Sequence, residues 1–172
     1  MTAVVQNDTK EGKVLRDIAK PIPIDAIQTE KIKSVLKNMR IILEHQKDGV
    51  AIAAPQIGKS LSIFVISPKV FENDPEGMQL NFINPEIIKS SSDKKLMDEG
   101  CLSVRWWYGK VRRASRVTVR AHDKDGNQFE MEGSGLLAQI FQHEIDHLNG
   151  ILFIDTATDL KEMEPNPDSS DK

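Results

Sequence analysis

The sequence predicts an α+β fold: largely antiparallel β-strands around a central C-terminal helix, with an amphipathic helix towards the N-terminus. Three observations carry that prediction. Ile32, Val35, Leu36, Met39, Ile42 and Leu43 recur at helical spacing. Two runs of strand character flank Lys124-Asp125-Gly126-Asn127, whose Asp-Gly pair is a strong hairpin signal. Late in the chain Leu136, Leu137, Ile140 and Phe141 form a second apolar stripe on one helical face.

Taken in order, Pro21 and Pro23 stiffen an extended entry, and Asp25 with Gln28 resembles a capping box. The first helix is therefore expected over residues 26–46, stopped by Gly49. Residues 62–67 and 80–83 are short runs expected as strands, and residues 116–121 and 128–132 as the arms of the hairpin. The second helix is expected from about Ser134, a candidate N-cap, to Asn149, with Gly150 as its stop. Residues 161–172 offer almost nothing to bury and are expected as a disordered tail behind a single domain of residues 1–160.

Composition narrows the class. A chain of 172 residues suffices for one domain with a substantial core, and 39% hydrophobic with 28% charged residues is ordinary for a globular protein. A net charge of −3 gives no electrostatic reason to expect nucleic-acid binding. Arg105, Lys110, Arg112, Arg113, Arg116 and Arg120 gather locally; with Val117 and Val119 alternating, they suit the solvated face of a strand better than a patch for an acidic partner. The single cysteine, Cys101, excludes an intramolecular disulfide and suggests a reducing compartment. Residues 1–13 lack the apolar region of a secretory signal, and no apolar run approaches the roughly 20 residues of a membrane helix. The cytoplasm is the expected location.

The sharpest chemical feature is His143-Glu144-Ile145-Asp146-His147, inside the second predicted helix. Residues four apart share a helical face, so both imidazoles can address one metal ion with Glu144 beside them. The plainer reading is a helix end that carries His and acidic residues by chance. The apolar stripe upstream favours the metal, because it makes the two histidines prolong a buried face. A catalytic site needs a third ligand and an open position. Phe153 stands where one peptidase class places a third His, and Glu162 and Glu164, the acids another class would need, fall in the expected tail. That leaves Cys101, whose alternative role is a small buried hydrophobe.

Cys101 lies in Glu99-Gly100-Cys101-Leu102-Ser103, and upstream runs Gly49-Val50-Ala51-Ile52-Ala53-Ala54-Pro55-Gln56-Ile57-Gly58. With His143-Glu144-Ile145-Asp146-His147, these segments resemble in order the three signature motifs of peptide deformylases. The resemblance runs through Phe82-Ile83-Asn84-Pro85 and residues 111–126, and spans roughly residues 14–155. It implies that Cys101, His143 and His147 bind one divalent metal ion per chain, Fe²⁺ in the cell, with Zn²⁺, Ni²⁺ or Co²⁺ as alternatives in isolated protein. It implies Glu144 as general acid–base, and the Gln56 amide and the Leu102 backbone N–H as donors to the oxyanion. Glu99 would support the ligands, partnered by Arg113. The implied reaction removes the formyl group from the formyl-methionine of nascent polypeptides, with transient ribosome contact, no specific nucleic-acid sequence and no membrane. Substrate would lie extended along Gly49, Val50 and Ala51, with Val50, Tyr108, Leu136, Gln139 and Ile140 about the methionine pocket.

Two departures stand out. Ala51 replaces the family's usual second Gly of the first motif, and Arg105 a frequent Pro, followed by an unusual Trp106-Trp107 pair expected in a loop, more as a packed lid than as a recognition surface. The rival readings are a zinc peptidase with the same helix motif and a non-enzymatic, metal-stabilised binding module; His45 and His122 are too isolated to supply the latter's fourth ligand.

Overall fold

The computed structural model describes residues 3–71 and 80–163. Among the described residues, eight strands form two antiparallel sheets. In the first, β1 (Ala51–Ala53), β2 (Ile63–Ile66), β3 (Asn81–Ser90), β6 (Arg116–His122) and β7 (Gln128–Ser134) lie in the order β1-β2-β3-β6-β7. In the second, β5 (Val104–Ala114) sits between β4 (Lys94–Cys101) and β8 (Thr158–Glu162). Helix α1 (Glu30–Glu44) precedes the strands, and α2 (Gly135–Leu148) packs against both sheets. The α+β class and the two helices agree with the sequence.

The five-stranded sheet is covered on both faces, and β2 shows why it forms. Its four residues are all buried. Successive side chains point to opposite faces, so Ile63 and Val65 join the α1 stripe while Phe64 and Ile66 join α2. Phe64 stacks on Phe82 at 4.5 Å between centroids, and Phe141 of α2 closes the cluster at 5.2 Å from Phe82. Each such buried ring contributes roughly 1.5–3 kcal/mol. This cluster fixes α2, and hence its histidines, against the sheet.

Helix α2 ends where backbone meets backbone. Gly150 has φ +73, and a Cβ there would come 2.5 Å from the Arg16 carbonyl oxygen. The N-terminal segment crosses the helix end at that point, with the Ala19 N–H donating to the Leu148 carbonyl at 2.8 Å.

Several expectations need correction. Helix α1 begins at Glu30 rather than residue 26, after a 3₁₀ turn at Ile24–Ala26. The expected capping box does not form, because Gln28 Nε2 donates instead to the Asp125 carbonyl at 2.7 Å and ties this entry to the hairpin turn. The run expected at 80–83 extends to Ser90. β4 was not foreseen; the basic residues expected on the solvated face of one strand divide between β5 and β6, with Arg113 buried, and the Trp106-Trp107 segment belongs to β5 rather than to a loop. Lys161 and Glu162 lie in β8, paired with Tyr108 and Trp107, so the tail does not begin at 161. The rest of the expected tail, residues 164–172, falls outside the described residues.

Candidate metal centre and substrate cleft

Cys101 ends β4, at the tight turn into β5, while His143 and His147 stand one turn apart on α2. The Phe cluster presses that helix towards the turn, so the three side chains converge. Their ligand atoms lie within 4.8 Å of one another, and Cys101 Sγ is 3.2 Å from His147 Nε2. Tetrahedral metal bonds to sulfur and nitrogen place neighbouring donors about 3.3–3.8 Å apart, so a thiolate and two imidazoles at these distances fit a first-row divalent cation.

The candidate ligands are held from behind. Glu99 Oε2 lies 3.0 Å from His143 Nδ1, leaving the other ring nitrogen for the cluster. Both Glu99 oxygens also accept from Arg113, at 2.6 and 2.9 Å, and Arg113 reaches Asp146 at 2.6 Å. Ionisation follows this geometry. Burial alone would raise the Glu99 carboxyl, but hydrogen bonds from Arg113 and His143 outweigh it and hold the pKa at about 2. Burial likewise opposes the Cys101 thiolate, yet His147 and His143 hold that thiol well below its ordinary value. His143 is pushed down by burial and pulled further up by Cys101 and Glu99, ending well above its usual value. Burial pushes the Glu144 carboxyl up, and the opposing effect of the two histidines only partly offsets it. Among the described residues Glu144 Oε2 is buried without a hydrogen-bond partner.

Gln56 sits in the 3₁₀ turn Ala54–Ile57 that follows β1. Its Oε1 accepts from the Ala53 N–H at 2.8 Å, which orients Nε2 towards Ser103 Oγ at 3.2 Å and Cys101 Sγ at 3.6 Å. The N-terminal segment buttresses this arrangement: Val5 N donates to the Gln56 carbonyl, Asn7 N to the Ser103 carbonyl, and Gln6 Nε2 to the Leu102 carbonyl. Backbone pairing of that kind leaves no periodicity in a sequence, so the segment gave no signal.

A cavity of about 290 Å³ opens onto this cluster. Gly49, Val50 and Ala51 form one wall, Glu99 to Leu102 with Tyr108 another, and Leu136, Gln139, Ile140, His143 and Glu144 of α2 a third. The Tyr108 ring covers Gly100, where a Cβ would meet it at 2.8 Å. Gln139 Nε2 donates to the Asp98 carbonyl at 2.8 Å, so it ties α2 to β4 as well as lining the cavity. Of the expected site residues, only His147 and Arg113 do not line it; both are buried. Asp48, Asp98, Arg105, Trp106 and Trp107 complete the lining. Asp146, inside the helix motif, and Asp48, beside Gly49, join the site through Arg113 and Arg105 with no local sequence pattern that marks them. Phe153 lies in the core at 1% exposure, and Glu162 is exposed on β8. Neither joins the cluster.

Converging thiolate and imidazole donors at a cleft between antiparallel sheets, with a buried carboxylate against them, are the make-up of a metal-centred hydrolase. The polypeptide deformylase family matches residues 1–163. The peptide deformylase of Halothermothrix orenii is 46% identical over 142 residues, 83% of this chain and 86% of that one. That of Thermomicrobium roseum is 44% identical over 126 residues, 72% and 71% of the two chains. A crystal structure of a Legionella pneumophila peptide deformylase superposes with a TM-score of 0.79 at 38% identity, over 92% of this chain and 87% of that one. The Synechococcus elongatus enzyme in complex with actinonin gives 0.79 at 31% identity, over 92% and 81%. The chain belongs to the polypeptide deformylase family. Among the described residues no helix is long and apolar enough to cross a membrane.

Proposed function

We propose that Glu144, Gln56 and Leu102 carry out in this chain the reaction of its family, hydrolysis of the N-formyl group of nascent polypeptides, at an ion held by Cys101, His143 and His147. The convergence of these groups in one cleft is the observation that carries this reading. A divalent ion bound there polarises a carbonyl and makes water nucleophilic near neutral pH. Fe²⁺ is the ion of the cell on the family resemblance, and the donor set also suits Zn²⁺, Ni²⁺ or Co²⁺.

The substrate lies extended against β1, an edge strand of its sheet, with Gly49, Val50 and Ala51 pairing to its backbone. Its methionine side chain fills the space between Val50, Tyr108, Leu136, Gln139 and Ile140. Water adds to the formyl carbon while Glu144 accepts its proton, for which the raised carboxyl pKa suits it. Gln56 Nε2 and the Leu102 N–H serve the oxygen on which negative charge develops. Glu144 then returns the proton to the departing nitrogen, so the C–N bond breaks to formate and a free N-terminal amine. The reaction is placed in the cytoplasm, where nascent chains emerge and transient contact with the ribosome brings enzyme to substrate.

Glu144→Gln tests the central role. The amide is nearly isosteric and should leave metal content unchanged, while turnover falls by about 10²–10⁴-fold. Metal analysis with a formate assay measures both, and near-normal turnover would remove Glu144 from the mechanism.

A further inference from the structure

The cleft extends beyond the reacting groups along a wall that the reaction as described leaves unused. Arg105, Trp106 and Trp107 lie near the start of β5 and line the same cavity as Glu144. Trp106 and Trp107 remain 38% and 39% exposed, though large aromatic surfaces are ordinarily covered. Trp106 also has φ +70, a left-handed conformation that bulky side chains rarely adopt. Its backbone is held there by β8 on one side, where the Met163 N–H donates to its carbonyl at 2.7 Å and Glu162 pairs with Trp107.

The ring is held as well. The Arg105 guanidinium lies 5.7 Å from the Trp106 ring centroid, within cation–π range. The same group donates to Asp48 Oδ2 at 2.7 Å and to Gln46 Oε1 at 2.6 Å. Arg105 thus ties the β5 wall to the segment that enters β1 on the other side of the cavity. Backbone strain retained beneath exposed aromatic rings, at the rim of a substrate cleft, points to recognition rather than packing.

We propose that Trp106 and Trp107 determine specificity: they form an apolar wall for side chains that follow the formyl-methionine. The chain then favours formylated peptides with an aromatic or branched aliphatic residue at the second or third position. Arg105 is a positioning residue, which sets the Trp106 ring and the spacing of the two walls. An extended peptide alternates its side chains, so one of the two residues after methionine meets this wall. The proposal rests on the deformylase reading given above.

These are the chain's two tryptophans, so intrinsic fluorescence reports on this wall alone. The test uses formyl-Met-Phe-Ser, formyl-Met-Ala-Phe and formyl-Met-Ala-Ser. Binding is followed by emission on the Glu144→Gln protein, and kcat/KM is measured on the wild type, Trp106→Gly, Trp107→Ala, Arg105→Ala and Arg105→Lys. One phenylalanine peptide should exceed formyl-Met-Ala-Ser by about 3- to 10-fold in kcat/KM, expressed in KM, as an aromatic contact allows. It should also shift tryptophan emission to the blue on binding. The preference should disappear in Trp106→Gly and Trp107→Ala. Glycine suits a positive φ, so the first of these variants is expected to fold. Arg105→Ala should lose most of the preference at unchanged kcat, and Arg105→Lys should regain part of it through Asp48. Turnover of all three peptides with equal kcat/KM, or a preference that survives both tryptophan variants, overturns the wall and leaves the reaction standing. No turnover of any peptide overturns the deformylase reading, and the wall with it.

Discussion

Glu99 and Arg113 meet through two parallel hydrogen bonds, with side-chain exposures of 3% and 8%. Both charges are costly to bury, and their mutual attraction offsets that cost only while the pair is complete. His143 and Asp146 take up further hydrogen-bonding capacity of the same pair. Arg113→Met should therefore strand a buried carboxylate and cost about 3–5 kcal/mol, measured by denaturant unfolding. Because Glu99 also orients His143, metal affinity should fall by about 10–100-fold. Adding Glu99→Gln to Arg113→Met removes the stranded charge and should recover part of the stability. A single variant as stable as the wild type would show that the pair matters little. At this scale the convergence of Cys101, His143 and His147 was legible from the sequence, because few residue types can hold a transition metal and the spacing of two of them on a helix is fixed. Asp146 and Asp48 were not, since a carboxylate that pairs across the fold looks locally like any surface acid.

Strand β1 is only three residues long and lies at the edge of its sheet, where the proposed function has the substrate pair. Ala51 lies opposite Ile66 at 5% exposure, with a negative φ. Ala51→Gly therefore adds chain freedom without relieving strain, and stability should fall by up to about 1 kcal/mol. Removing the methyl group widens the groove, so KM for formyl-Met peptides should fall or stay level while kcat changes little. A large loss of kcat at constant KM would mean that residue 51 acts on the transition state.

The β6–β7 turn makes a separate prediction. Asp123 Oδ1 accepts from the N–H groups of Asp125 and Asn127, both at 2.9 Å. Burial slightly disfavours the charge, but the bonds from Asn127 and Asp125 with nearby Lys124 lower the pKa. A depressed carboxylate stabilises the fold above the unfolded-chain value of about 3.9, and that gain is lost as pH falls through the folded value. Asp123→Asn should thus lower Tm modestly at neutral pH, with the difference shrinking below about pH 4. A gap that persists unchanged in acid would exclude the charge as its cause. This hairpin was legible from its turn residues and the helices from their stripes. β4 and β5 were not, because Lys94-Lys95-Leu96-Met97-Asp98-Glu99 and the basic run of β5 show no alternation of apolar and polar residues. The pairs that join them, Lys110 with Asp98 and Arg113 with Glu99, exist only once the two strands lie side by side.

Across the whole molecule, two sheets and two helices meet so that each wall of the cleft comes from a different part of the chain. The first motif supplies β1 and Gln56, the second the turn from β4 into β5, and the third α2. Three short motifs far apart in sequence were therefore enough to predict which residues converge on the cleft, while the Trp106-Trp107 pair, expected as a packed lid in a loop, lies in β5 and lines the cavity with its rings part-exposed. Ligation constrains residue type and spacing; a rim needs only exposed surface near an opening, which spacing does not encode. The N-terminal segment and β8 brace the site through backbone hydrogen bonds, which likewise carry no residue signature. The claim that unites these parts is that the cleft is a metal-dependent deformylase site. Formate release from formyl-Met-Ala-Ser, by protein prepared anaerobically with Fe²⁺, tests it most directly. The account predicts one formate for each free amine produced, with activity rising in step with metal content and lost on chelation. Full metal occupancy without formate release, or release that survives chelation, would contradict it.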